Sequence, residues 1–309
     1  MKSWPALPAF VIGLLTQDTS SIRQMAEAEK ERSSVTPCAY FLEISHETPS
    51  LHCHRGSALG VKCLLAFQGR VFEEEDEASP ALPSNHQKAE WTFARFHYRM
   101  GNEFGGGFRG FQRWAADYPK ADRQFEQGVR RLMRLHTRAL EQVVDADTDE
   151  LYNWSWIYVE DAGWWNLSEA QASRLREYLL RGGFMFADDS HGDYEWETFV
   201  RGMEMIFPGK SIEELRDGDE IFHVFYDLDD RFQIPGTRYL WGGRQYTSDS
   251  AVPKWRAIRD DRGHIVVAIC HKSDVGDAWE WADSPRYPEP DASLAYRIGI
   301  NYIIYGMTN

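Results

Sequence analysis

Along the chain, apolar residues take up the periods of regular structure only from about Glu90 onward. Trp91, Phe93, Phe96 and Tyr98, with Ala94 among them, predict a first strand rich in aromatics. Phe125, Val129, Leu132, Met133 and His136 share one helical stripe, with Pro119 suited to the helix's first turn. Gln142–Asp145 and Trp154–Val159 predict a second and a third strand. Ser168 and Gln171 have the spacing of a capping box ahead of a helix that buries Ala172, Leu175 and Leu179, and Gly182 is placed to stop it. Phe184–Ala187 then reads as a short buried strand. A helix starting at Gly192 or Asp193 follows and buries Trp196, Phe199, Val200, Met203, Ile206 and Phe207 before Pro208-Gly209. Strand and helix alternate, which is the mark of a mostly parallel sheet covered on both faces. Trp255–Asp260 and His264–Cys270 flank a turn at Asp261-Arg-Gly263 and predict an antiparallel hairpin at the sheet's edge. A last helix over Asp291–Gly306 places Leu294, Ile298, Tyr302 and Tyr305 on one side.

Residues 1–88 lack any sustained period and end in the acidic run Glu73–Glu77 and the segment Ser79-Pro-Ala-Leu-Pro-Ser84, which is linker composition. They are expected to form a poorly ordered extension with one helix near Ser21–Arg32, and residues 89–309 a single α/β domain. Lys2 followed by the apolar run Ala9–Leu15 resembles a degenerate export signal interrupted by Pro5 and Pro8. No apolar run is long enough to cross a bilayer. Cys38, Cys53 and Cys63 show no C-x-x-C pair, and His52 and His54 beside Cys53 fit no common zinc spacing. The net charge of -14 argues against nucleic acid or an anionic lipid surface as the main partner.

Candidate chemistry concentrates where Phe184–Ala187 runs into Asp188-Asp189-Ser190-His191-Gly192, because ligands of open α/β sheets bind outside the carboxyl ends of the strands. Ser190 with Gly192 is half of a nucleophile elbow, but Asp188 stands where the first glycine belongs. A hydrolase would pair Ser190 with His223 or His271, and the order Ser190, Asp227, His271 mimics that of α/β-hydrolases. Asp188, Asp189, His191 and His223, with Asp277 from a later loop, could instead supply ligands to a divalent metal. Adjacent carboxylates on a continuing strand point to opposite sides, so one of the pair would face a given site. The plainer alternative has Asp188 accepting from loop amides while Asp189 caps the next helix or pairs with an arginine. Gly105-Gly-Gly107-Phe-Arg-Gly110 fits G-x-G-x-x-G without a helix opening at its glycines, which favours a loop whose Arg109, with Arg113 nearby, reaches an anionic ligand over a dinucleotide site. Asp277 and Trp279, in Gly276–Asp283, suit a sugar or a cationic group; the plainer alternative is that Trp279 and Trp281 cover the sheet edge or pack under the last helix.

Six segments carry a family resemblance: Trp91–Phe96, Trp114–Pro119, Arg181–Asp189, Ile221–His223, Gly276–Asp283 and Ala295–Tyr302. Together they resemble a bacterial family catalogued as domain of unknown function 4159, from about Glu90 to the C-terminus. The resemblance implies a class I glutamine-amidotransferase-like fold, a flavodoxin-like three-layer sandwich, and an exported or envelope-associated protein. It implies no activity, and where amidotransferase-like enzymes keep a nucleophilic cysteine this chain has carboxylates. The expectation is a non-catalytic domain, with no cofactor predicted beyond a divalent metal as an option. It would bind a small ligand or a protein partner at the strand ends through Asp188, Asp189, His191, His223, Asp277, Trp279 and Arg109.

Overall fold

The structure, a computed structural model, describes residues 89–100, 112–138, 140–242 and 252–308. The expected N-terminal extension with its export signal, Cys38, Cys53, Cys63 and the glycine loop with Arg109 lie outside the described residues.

Seven strands form one sheet: β1 (Ala94–His97), β2 (Gln142–Asp145), β3 (Trp156–Val159), β4 (Phe184–Ser190), β5 (Glu213–Glu214), β6 (Lys254–Arg259) and β7 (Ile265–His271). Their order is β2-β1-β3-β4-β7-β6-β5. The first five in that order are parallel, and β6 and β5 extend the edge antiparallel. The helices are α1 (Lys120–Met133), α2 (Glu169–Leu180), α3 (Gly192–Ile206), α4 (Thr237–Leu240), α5 (Val275–Glu280) and α6 (Glu289–Thr308).

Successive strand residues point to opposite faces, and the two faces build two cores. Phe93, Trp156, Tyr158, Phe184 and Phe186 pack with α1, α5 and α6. Ala94, Phe96, Ile157, Val159, Met185 and Ala187 pack with α2 and α3. The result is an α/β sandwich of three layers. No helix among the described residues is long and apolar enough to cross a membrane.

Most elements appear where the periodicity puts them. The capping box forms, with the Gln171 amide donating to Ser168 Oγ at 3.2 Å and the Ser168 amide donating to Gln171 Oε1 at 3.0 Å. Gly182, at φ 96°, follows the helix in the left-handed conformation that glycine adopts without strain. Several elements differ. Trp91 makes only an isolated bridge to Thr137, so β1 begins three residues later than its aromatics suggest. The buried stripe of α1 runs through Asp122 and Glu126, while Leu132 is 52% exposed. The reason is polar. Arg95 on β1 is fully buried and needs acceptors, and Asp122 takes its guanidinium through both oxygens at 2.5–3.0 Å while the carbonyls of Trp114 and Ala116 take Nη1. Glu126 likewise accepts from the Phe93 amide. Finally, β4 continues past Ala187 through a bulge in which Asp189 has φ 50°, and Ser190 pairs with His271.

Candidate functional site

Acids close most of the parallel strands. Glu160 and Asp161 follow β3, Asp188 and Asp189 lie in the last turn of β4, and Asp274 follows β7. Strand parity then sorts them. Glu160 and Asp188 continue the face of Tyr158 and Phe186, toward α1 and α5, whereas Asp161 and Asp189 are directed to the α3 side, where Arg113, His191 and Glu195 meet them.

On the α3 side Asp161 and Asp189 each have a basic side chain beside them. Arg113 Nη1 reaches Asp161 Oδ2 at 3.0 Å, and its guanidinium lies 4.4 Å from the centroid of the Trp164 ring. Trp164 Nε1 and the His191 amide each donate to one oxygen of Glu195. His191 Nε2 stands 2.5 Å from Asp189 Oδ1. Burial pushes Asp161 up to about 7 against the pull of Arg113, and burial with the neighbouring acids raises Asp189 further.

The α1 and α5 side has acids without that match. Asp188 Oδ2 accepts from the Tyr158 hydroxyl at 2.8 Å and from the amides of Val275 and Gly276 at 2.8 and 2.9 Å. Those amides open α5, which Asp274 caps by accepting from the Asp277 amide at 2.8 Å. Asp277 Oδ2 in turn accepts from the amide and hydroxyl of Thr237 at the start of α4. The Tyr158 hydroxyl also bonds Glu160 Oε2. A phenol has one proton to give, so it cannot donate to Glu160 and Asp188 at once. The remaining oxygens, Glu160 Oε1 and Asp188 Oδ1, are buried with no donor. Asp117, held at φ 61° in the loop before α1, completes the group. One oxygen from each of Asp117, Glu160 and Asp274 lies within 4.8 Å of the others, and the same holds for Asp117, Asp277 and Glu280. Among the described residues none of Asp117, Glu160, Asp188, Asp274, Asp277 and Glu280 forms an ion pair with a lysine, arginine or histidine. Of the nearby cations, Arg95 is already held by Asp122, and Lys120, whose charge is felt by Glu280, pairs with Asp283. Burial first, and mutual repulsion second, raise Asp117, Glu160 and Asp274 well above the carboxylate range; burial brings Asp188 and Glu280 to about 7. The oxygens close in on the backbone here: a Cβ on Gly276 would stand 2.6 Å from Asp117 Oδ2, 2.8 Å from the Tyr158 hydroxyl and 2.9 Å from Glu160 Oε2, closer than side-chain atoms tolerate.

A comparison with protein families finds that the profile described as Domain of unknown function (DUF4159) matches residues 92–307, more than half of the chain. The chain belongs to this family. A comparison with curated proteins finds no match. The matched span of the DUF4159 domain contains every residue of both halves of this rim.

Of the residues singled out by sequence, the structure brings together Asp188 and Asp277 on the acidic side and Asp189 and His191 on the other. It places His223 and Trp279 apart from both groups. His223 is held by Asp227 and the Asp217 carbonyl in a segment anchored by the Asp219–Arg259 pair, and Arg259 adjoins Ile265 at the opposite end of β7 from Asp274. Trp279 is in a helix instead of a loop and is fully buried, stacked on Phe125 with centroids 4.1 Å apart. It packs beneath the site as core. His271 stacks on Trp196 and takes a hydrogen bond from Arg256 at Nδ1, which puts its own proton on Nε2 and leaves it no lone pair to act as a base. No histidine among the described residues hydrogen-bonds the Ser190 hydroxyl. The sequence reading missed Asp117, Tyr158, Glu160, Asp274 and Glu280. One signal was available: Glu160-Asp161 closes its strand as Asp188-Asp189 closes the next.

Proposed function

We propose that this domain binds a small, positively charged ligand at the carboxyl ends of its parallel strands, in a flavodoxin-like, amidotransferase-like sandwich that holds its ligand without transforming it. The observation that carries the reading is the Tyr158 hydroxyl between two buried carboxylates, with Glu160 Oε1 and Asp188 Oδ1 left without donors. Ionised carboxylates in such surroundings need either protons or a cation. Burial favours a small ligand over a protein surface, because Glu160 and Asp188 are fully inaccessible and Asp274 and Asp277 nearly so. The strand order supports the fold assignment: β2-β1-β3-β4-β7 repeats the 2-1-3-4-5 order of doubly wound sheets that bind ligands at this edge.

Thermal unfolding in the presence of organic amines, guanidines and divalent cations tests the reading. A ligand at a hundred times its Kd should raise Tm by about 5 °C or more. If no cationic compound stabilises the chain, and Glu160→Gln leaves its unfolding unchanged between pH 6 and 8.5, the acids are a static protonated network and the reading is wrong.

A further inference from the structure

Which kind of cation the acidic half takes follows from its donor set. We propose that Asp117, Glu160 and Asp274 directly ligate one hard divalent cation, of which Ca²⁺ and Mn²⁺ are the probes, an inference that rests on the ligand-binding reading above and narrows it. All three contribute carboxylate oxygen, and the neighbouring Asp188, Asp277 and Glu280 add no nitrogen or sulfur, so soft and borderline metals have no advantage here. The oxygens lie within 4.8 Å of one another.

The cluster does not stand on its acidity alone. Glu160 is fully buried, its Oε1 has no hydrogen-bond donor, and its carboxylate belongs to the group of converging oxygens. Asp122, by contrast, takes Arg95 through both oxygens. Gly276 faces the same oxygens with no side chain, and any Cβ there would meet Asp117, Tyr158 and Glu160 at under 3.0 Å. Asp117 is shared with Asp277 and Glu280, whose charge adds to the attraction for a doubly positive ion. Organic ammonium groups are disfavoured by contrast, since an ammonium offers three donors but cannot neutralise this many carboxylates.

Terbium luminescence tests the site in the full chain after treatment with chelator. Tb³⁺ resembles Ca²⁺ in its preference for oxygen, and Tyr158 and Trp279, whose rings are 5.3 Å apart, lie close enough to the acids to sensitise its emission. Sensitised emission should saturate near one ion per chain and be displaced by Ca²⁺ or Mn²⁺. Asp117→Asn, which keeps a residue that tolerates the left-handed backbone, and Glu160→Gln should each weaken Ca²⁺ displacement at least about tenfold. Asp261→Asn, at an exposed pair with Lys210, should not alter it. Emission and displacement unchanged in both Asp117→Asn and Glu160→Gln would overturn the assignment. Stabilisation by organic amines with none by Ca²⁺ or Mn²⁺ would overturn the metal while leaving the ligand-binding domain standing. Stabilisation by neither would overturn both.

Discussion

The two halves of the rim use the same residue types and differ in what answers their charge. On the α3 side Asp161 and Asp189 face Arg113 and His191. On the α1 and α5 side Glu160 and Asp188 face a tyrosine, two backbone amides and further acids. Each half takes one member of two adjacent pairs, Glu160-Asp161 and Asp188-Asp189, because neighbouring strand residues point to opposite faces. A buried acid with a cation is a finished structural element. In the unmatched half several buried acids converge with no cation between them, which is why that half carries the functional assignment.

The comparison can be broken most forcefully from beneath. Arg95→Met would leave Asp122 in the core without its cation and strip the carbonyls of Trp114 and Ala116 of their donor. Urea unfolding should show a loss of about 3–5 kcal/mol. A loss under about 1 kcal/mol would mean that Asp122 is neutral and that Arg95 is free to serve the acidic half.

The acids of this face should also set the pH response, and Glu126 provides a reference outside the rim. Burial, with the charges of Asp122 and Glu141 adding to it, raises it from 4.5 to about 8 against the Phe93 amide and Arg130. The folded chain therefore holds a proton that the unfolded chain releases. That contribution is complete below pH 4.5 and disappears as pH rises through about 8, a difference of the order of a few kcal/mol. Unfolding measured at pH 5, 7 and 8.5 should show stability falling with pH, and Glu126→Gln should flatten part of the fall. An identical slope in the variant assigns the whole response to the rim.

Smaller effects of opposite sign distinguish the halves directly. Arg113→Ala removes the partner of buried Asp161, and because the arginine is itself partly exposed the cost should be about 1–3 kcal/mol. Glu160→Gln on the other side should instead stabilise the cation-free chain by about 1 kcal/mol at pH 8, since it removes repulsion and supplies a donor. If both substitutions destabilise equally, the halves are not different in kind. Ser190→Ala is the smallest change: with no histidine on its hydroxyl, stability and ligand binding should stay within about 0.5 kcal/mol of the parent.

Much of the fold was legible because burial imposes a period. The alternation of strands and helices from Gln142 to Ile206, the Ser168 capping box, the hairpin around Gly263 and the docking of the last helix all appear in the structure. The misreadings have one cause. The spacing puts Leu132 on the buried stripe of α1 because apolar residues are expected inside, whereas Asp122 and Glu126 occupy it to satisfy Arg95 and the Phe93 amide from another element. Val275–Glu280 reads as a loop because its helix is short and the amides that open it are held by Asp188, which only the return of β7 beside β4 brings there. Of the site, Asp188, Asp189 and Asp277 were visible at a strand end and in a motif. Asp117 and Glu160 were not, being 43 residues apart in a chain rich in acids.

By itself the sequence determined the class of fold, the family and the edge of the sheet where acids collect, since these depend on local periods and on the chain order of motifs. Tertiary structure alone decided which acids meet, which of each adjacent pair finds a cation and which is left without one. Periodicity states the face a residue occupies, and the partner on that face comes from a distant strand or helix whose register no local pattern contains.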